Sequence, residues 1–284
     1  MSETQPTSRV SSAAQIGIIA KYNFLNYFRA RRFYVMLAII LIIGGLVTGL
    51  VAYYGVSSFG GQTSLGFYGA GWGGFASFVI ILSAVFFGGD AISGEFQNKT
   101  GYFLVPNPIR RTVIYTGKYL AALAASSLIL GVFALIMIGN GLYYFPGQVP
   151  WQFVQSIAFA WVYLIAVMSL AFAFSSLFKS TSISILMTVI LLLFVFSIVD
   201  EIVTIVAGYE PWYSIVYGAG IISNVLSTTY PPHYTPGLPG EARFRGGAPS
   251  YFATIPEGLT ILLIYFVVMG AIGLWLFQRK EFTS

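Results

Sequence analysis

The sequence predicts an all-α integral membrane protein: six transmembrane helices, an N-terminal in-plane amphipathic helix, and an external insertion between the fifth and sixth spans. Composition is the first reason. Of 284 residues 57% are hydrophobic and only 8% are Asp, Glu, Lys or Arg, more apolar surface than a soluble fold can turn inward. The second reason is that the apolar residues gather in runs of the roughly 20 needed to cross a bilayer as helix. The third is that Lys and Arg fall mainly at alternate gaps between those runs, as the positive-inside rule requires. Cysteine is absent and His233 is the single histidine. Disulfides, thiolate sites and cysteine nucleophiles are therefore excluded, and no metal site is expected, since one histidine cannot build a histidine-based centre. His233 reads as a surface loop residue.

Residues 1–12 form a polar tail, expected to be disordered and lacking the apolar core of a secretory signal. Residues 13–32 form the amphipathic helix: Ile16, Ile19, Phe24, Tyr27 and Phe28 recur on one face, and Lys21, Asn23, Asn26 and Arg29 lie mostly off it. Such a helix suits the membrane surface. The membrane domain follows over residues 33–284. Its first span is 33–54, preceded by Arg29, Arg31 and Arg32, with no further basic residue until Lys99. That asymmetry places the N-terminus in the cytoplasm of a cell-membrane protein. Gly45 and Gly49 offer a helix contact face within it. Residues 55–71 read as a flexible Gly/Ser-rich external loop. The adjoining Gly69-Ala-Gly-Trp-Gly-Gly74 matches a dinucleotide-binding pattern, but no βαβ unit surrounds it. Residues 72–88 form the second span, running inward.

A polar connector follows. Asp90 and Glu95 fall at a helix start, where carboxylates suit the positive end of the backbone dipole. Ile92, Phe96 and Phe103 recur at helical intervals and are expected to fill a partner's groove. Pro106 and Pro108 end that helix, and Arg110 and Arg111 sit at the inner face. Asn98-Lys-Thr100 is a formal glycosylation acceptor on the cytoplasmic side, expected to be unmodified. The third span lies within 113–143, with Asn140-Gly141 as its outer turn. The fourth is 153–178, Lys179 and Ser180 make a tight cytoplasmic turn, and the fifth begins at Ile183. Asp200 and Glu201 come about 26 Å further along the helix, near the outer boundary. Acidic groups at membrane depth are often functional, so these two are the candidates for an ion or proton site. Hydration at the interface is the competing reading. The external insertion spans 208–253, with Trp212, Val216, Ala219, Ile222 and Leu226 as the stripe of a short helix. Thr254-Ile-Pro-Glu257 fits a capping box opening the sixth span, which ends at Arg279 and Lys280. Six spans return the C-terminus to the cytoplasm.

No Walker A pattern is present, because Gly117-Lys118 is followed by Tyr119 and lacks the earlier glycine. No nucleophile elbow occurs either, so the chain is not expected to be an enzyme. The run Ile92-Ser-Gly-Glu95-Phe-Gln-Asn-Lys-Thr100-Gly-Tyr, with Asn107-Pro108, Arg110-Arg111 and Gly117-Lys118, resembles the permease subunits of ABC-2 type exporters. Glu95, Thr100, Pro108, Arg111, Gly117 and Lys118 match that family's pattern, and the resemblance extends over the whole chain. It implies two six-span halves, identical or not, each above a separate ATPase subunit that binds ATP and Mg. No cofactor is implied in this chain, and nucleic acid is not among the expected partners; membrane lipids are. The connector would act as a coupling helix, with Asp90, Ile92, Glu95, Phe96, Asn98, Lys99, Thr100, Tyr102, Phe103 and Arg111 as the ATPase-coupling residues. The largely apolar spans, with Ser, Thr and Tyr among them, favour an amphipathic or lipid-like cargo. Two alternatives stay open: an ion-coupled carrier or channel using Asp200 and Glu201, and a membrane scaffold whose insertion holds a partner.

Overall fold

Ser11 accepts the Ala14 N–H on its hydroxyl at 3.3 Å, an N-cap for the leading helix Ser12–Arg29. A single extended residue, Ala30, separates this helix from the first span. The computed structural model describes residues 11–97, 110–237 and 249–280. Residues 1–10 of the polar tail, the connector residues Asn98, Lys99, Thr100, Tyr102, Phe103, Pro106 and Pro108, and Arg243 and Arg245 of the insertion lie outside the described residues.

Six helices are long and apolar enough to cross a membrane: Arg31–Tyr54, Ser64–Gln97, Arg111–Tyr144, Trp151–Leu177, Thr181–Ala207 and Ile255–Arg279. The second and fourth bury 67% and 61% of their most apolar stretch, against 17% in the fifth and sixth. The second, third and fourth spans are thus the core of the bundle, and the fifth and sixth keep an apolar face outward, as lipid or a further chain would require. Every described Lys and Arg belongs to the leading helix or to one end of the bundle. That basic end collects the starts of the first, third and fifth spans and the finishes of the second, fourth and sixth. Asp200, Glu201, Glu210 and Glu257 belong to the opposite, acidic end.

The leading helix packs along the third span. A β-carbon on Gly117 would lie 2.6 Å from Ile19 Cγ2 and 3.2 Å from the Ile16 carbonyl oxygen, so only glycine permits this approach. Tyr27 is the buried residue of that helix and meets Phe87 of the second span edge-on at 5.6 Å.

Three local expectations change. The stretch 55–71 is not a flexible loop but carries helical turns at Val56–Gly60 and Ser64–Tyr68. Phe67, Tyr68 and Trp72 are fully buried; Trp72 donates to Ser156 Oγ at 2.9 Å and stacks on Phe133. The glycines Gly55 and Gly61, at φ +81° and +82°, turn the chain so that these rings can enter the bundle. Asn140-Gly141 is not a turn, because the third span continues to Tyr144. Asn140 instead donates to Thr48 Oγ1 of the first span at 2.9 Å, and Gly141 leaves room for the Tyr68 hydroxyl, which a β-carbon would meet at 2.1 Å. Within the first span Gly44 is the glycine packed on a neighbour, Ile136; Gly45 and Gly49 face nothing within 4 Å.

The insertion holds two helical turns, Ile215–Ala219 and Ile221–Asn224. Of the expected stripe Ala219, Ile222 and Leu226 are buried, whereas Trp212 stands 69% exposed. A two-residue antiparallel ladder then pairs Tyr234 with Tyr251 and Thr235 with Ser250, the one strand pairing among the described residues. The sixth span opens with the expected capping box, Thr254 N–H donating to Glu257 Oε2 at 3.2 Å.

Candidate functional site

The second span does not run straight to its end. After Gly88 the helix breaks, turns through residues 89–92 and resumes as the short helix Ser93–Gln97. A break inside an apolar bundle frees backbone groups that need partners. The N–H groups of Ile92 and Ser93 both donate to Ser175 Oγ of the fourth span, at 2.9 and 3.0 Å. The Gly89 carbonyl accepts from Ser184 Oγ of the fifth at 2.6 Å.

Further side chains tie the same nine residues, 89–97, to the remaining spans. Asp90 is ion-paired with Arg32 of the first span, whose guanidinium also lies 4.9 Å over the Tyr27 ring. Glu95 is ion-paired with Lys118 of the third span, and the Lys118 ammonium donates in addition to the Ala91 carbonyl at 3.0 Å. Gln97 Oε1 accepts the first N–H of the fifth span, from Thr181, at 2.8 Å. Lys280, closing the sixth span, lies 4.3 Å over the Phe96 ring and donates to the Ser176 and Phe178 carbonyls at 2.9 and 2.7 Å. The broken end of the second span is therefore bonded to each of the other five.

A polar cavity of about 180 Å³ separates this end from the leading helix; Asn23, Tyr27, Arg32, Asp90, Glu95 and Lys118 line it. Burial, with help from the Asp90 charge, pushes the Tyr27 phenol far above its usual range, so Tyr27 stays neutral between the two ion pairs. Burial first, and the neighbouring Lys179 charge second, push Lys280 down to about 8.

The expected coupling residues divide accordingly. Asp90, Glu95 and Phe96 are half-buried here, and Gln97, which the sequence did not single out, is exposed. Ile92 is a correction: it is completely buried in the chain's own core and fills no partner's groove, because the turn at 89–92 points it back into the bundle. Arg111 serves elsewhere, its Nη1 donating to the Phe277, Gln278 and Lys280 carbonyls at 3.3, 2.7 and 2.9 Å, where a cation suits the helix C-terminus. Sequence reasoning used Arg32 and Lys280 only as charges flanking the spans and Lys118 only as a match to the family pattern, and it gave no role to Ser175 or Ser184. Lys118 carried a usable signal, a cation seven residues inside an apolar span, where charge is costly unless paired.

At the acidic end Asp200 accepts from Ser214 Oγ at 2.5 Å and Glu201 is exposed. Both line a cavity of about 480 Å³ with Thr204, Tyr217 and Tyr251. Nearby, His233, an exposed loop residue as expected, stands between two carboxylates, its Nε2 3.3 Å from Glu210 and its Nδ1 3.6 Å from Glu257.

Six apolar helices, the second of them broken and internally tethered, define a polytopic membrane protein. The family model described as ABC-2 family transporter protein matches residues 17–282, and the chain belongs to that family. Comparison with curated proteins finds no match.

Proposed function

We infer that this permease is the transmembrane subunit of an ATP-driven exporter, and that a separate ATPase subunit, holding ATP and Mg, moves the segment from Asp90 onward to open a path for cargo. One observation carries this reading: the broken end of the second span is bonded to all five other spans, so a push on it reaches the whole bundle. The positive-inside rule puts the basic end, and with it both termini, in the cytoplasm, where an ATPase would dock. The exposed Gln97 and the connector residues Asn98, Lys99, Thr100, Tyr102 and Phe103 then face the ATPase, while Asp90, Glu95 and Phe96 pass the movement on. The outward apolar faces of the fifth and sixth spans suit a second permease subunit as well as lipid. An open apolar groove of about 600 Å³ beside Trp212, Tyr213, Ile261, Ile264 and Tyr265 favours an amphipathic or lipid-like cargo.

The absence of cysteine gives a direct test. Gln97→Cys and, at the opposite end, Tyr53→Cys would each supply one thiol for crosslinking in membranes that also hold the cognate ATPase. A crosslink to the ATPase is expected from position 97 and not from 53. The reverse result, or a position-97 thiol labelled only from outside the cell, overturns the proposal. Ion flux without ATP that Asp200→Asn abolishes would instead favour a carrier.

A further inference from the structure

We propose that Glu210, His233 and Glu257 form a binding site for one first-row transition-metal dication of the Zn2+ type. The three residues come from separate parts of the chain: the segment just after the fifth span, the loop before the β ladder, and the first turn of the sixth span. Their ligand atoms all lie within 4.8 Å of one another. His233 Nε2 and Glu210 Oε2 are 3.3 Å apart. Metal–ligand bonds of about 2.0–2.1 Å in a tetrahedral site place neighbouring ligands about 3.3–3.4 Å apart, so this edge needs almost no adjustment.

Each ligand is also held from behind. The Tyr217 hydroxyl donates to Glu210 Oε1 at 2.6 Å, leaving Oε2 toward the imidazole. The Thr254 N–H donates to Glu257 Oε2 at 3.2 Å. The Phe252 carbonyl lies 3.1 Å from His233 Nδ1, and the Phe252 N–H donates to the His233 carbonyl at 2.9 Å, fixing the loop by an extension of the ladder. A carbonyl only accepts, so Nδ1 carries a proton, and Nε2 is the nitrogen turned toward Glu210. A dication bound at Nε2 would take the place of a ring proton there and bridge the imidazole to the Glu210 carboxylate. An imidazole whose second nitrogen is bonded to a carbonyl, with carboxylates that are themselves oriented, is the arrangement metal-binding histidines adopt.

One nitrogen and two carboxylates favour Zn2+ and its neighbours over Mg2+ or Ca2+, which prefer all-oxygen shells. Three protein ligands leave a fourth position for water. The two carboxylates balance a dication, and no Lys or Arg among the described residues belongs to this end. A bound ion would fasten the insertion to the start of the sixth span, independently of whether the basic end couples to an ATPase.

The test uses the full chain, stripped with a chelator in detergent micelles, with Zn2+ alone as the titrant. One saturable site per chain, a raised unfolding temperature and visible Co2+ absorption of tetrahedral type are expected. Glu210→Gln and His233→Ala should abolish these signals, and Tyr217→Phe should weaken binding about 10- to 100-fold by freeing the Glu210 carboxylate. Should His233→Ala fold poorly, Glu210→Gln and the Co2+ spectrum of the unaltered chain still decide. No saturable site in the unaltered chain, or unchanged binding after Glu210→Gln, overturns the proposal.

Discussion

Lys118 of the third span and Glu95 of the broken second span form an ion pair inside the bundle, their side chains only 10% and 20% exposed. The pair is a joint between two helices separated by a connector. Removing one partner leaves the other charged and largely shielded from water, a worse state than removing both. Lys118→Met is expected to cost about 2–3 kcal/mol, towards the lower end for a broken buried pair because Glu95 keeps some exposure. The double variant Lys118→Met/Glu95→Gln should lose less than the two single costs combined, with a coupling of about 1 kcal/mol or more. Thermal unfolding of all four proteins in one detergent reads this directly, and strict additivity would refute it.

Ser175 accepts two backbone N–H groups on one hydroxyl, so its loss strands two buried donors. Ser175→Ala is expected to destabilise by about 2–4 kcal/mol, from roughly 1–3 kcal/mol per unsatisfied group. Hydrogen exchange at the Ile92 and Ser93 amides should accelerate, while amides near Ile129 in the middle of the third span stay protected. Equal acceleration throughout the bundle would mean that the break is not held locally by this serine.

The six spans were legible because span length and apolarity are local properties fixed by bilayer thickness. The sixth-span start was legible too, since the capping box needs only Thr254 and Glu257. Lys118, Ser175 and Ser184 were not. Their partners lie in other spans, and a serine in a membrane helix looks the same whether it bonds its own helix, as Ser127 does with Leu123, or a neighbour's broken backbone. Helical spacing correctly put Ile92 on an apolar face, but it could not say that the face belongs to this chain's core. Glycine misled in the same way: Gly55 does turn the chain, whereas Gly141 is a notch for a ring 73 positions earlier in sequence. Glu210, His233 and Glu257 carry no spacing signal at all, because only the folded insertion brings them together.

Gly117 sets the distance between the leading helix and the third span. Gly117→Ala introduces a β-carbon 2.6 Å from Ile19 Cγ2, and such overpacking is expected to cost about 1–3 kcal/mol. Because the clash is with the side chain first, Gly117→Ala/Ile19→Ala should be more stable than the sum of the two single costs predicts. Differential scanning fluorimetry of the set decides. A Gly117→Ala protein as stable as the unaltered chain would show that the leading helix is not pinned there.

Lys280 couples the end of the sixth span to pH. Its ammonium is half-buried at the basic end beside Lys179, and its pKa falls to about 8; the Phe96 ring, 4.3 Å away, favours the charged form but does not offset burial. An unfolded lysine titrates near 10.4. Between these values the unfolded chain binds more protons than the folded one, so the Lys280 contribution makes stability rise as pH increases from about 8 to about 10.4, and below about 8 its full cost is present. Lys280→Met should flatten that slope. In the unaltered chain the 13Cε resonance of Lys280, assigned by its loss in Lys280→Met, should titrate near pH 8. Lys179→Gln removes the second cause of the shift and should move the midpoint upward. A midpoint above 10 in the unaltered chain, or no movement on Lys179→Gln, would contradict this account of the site.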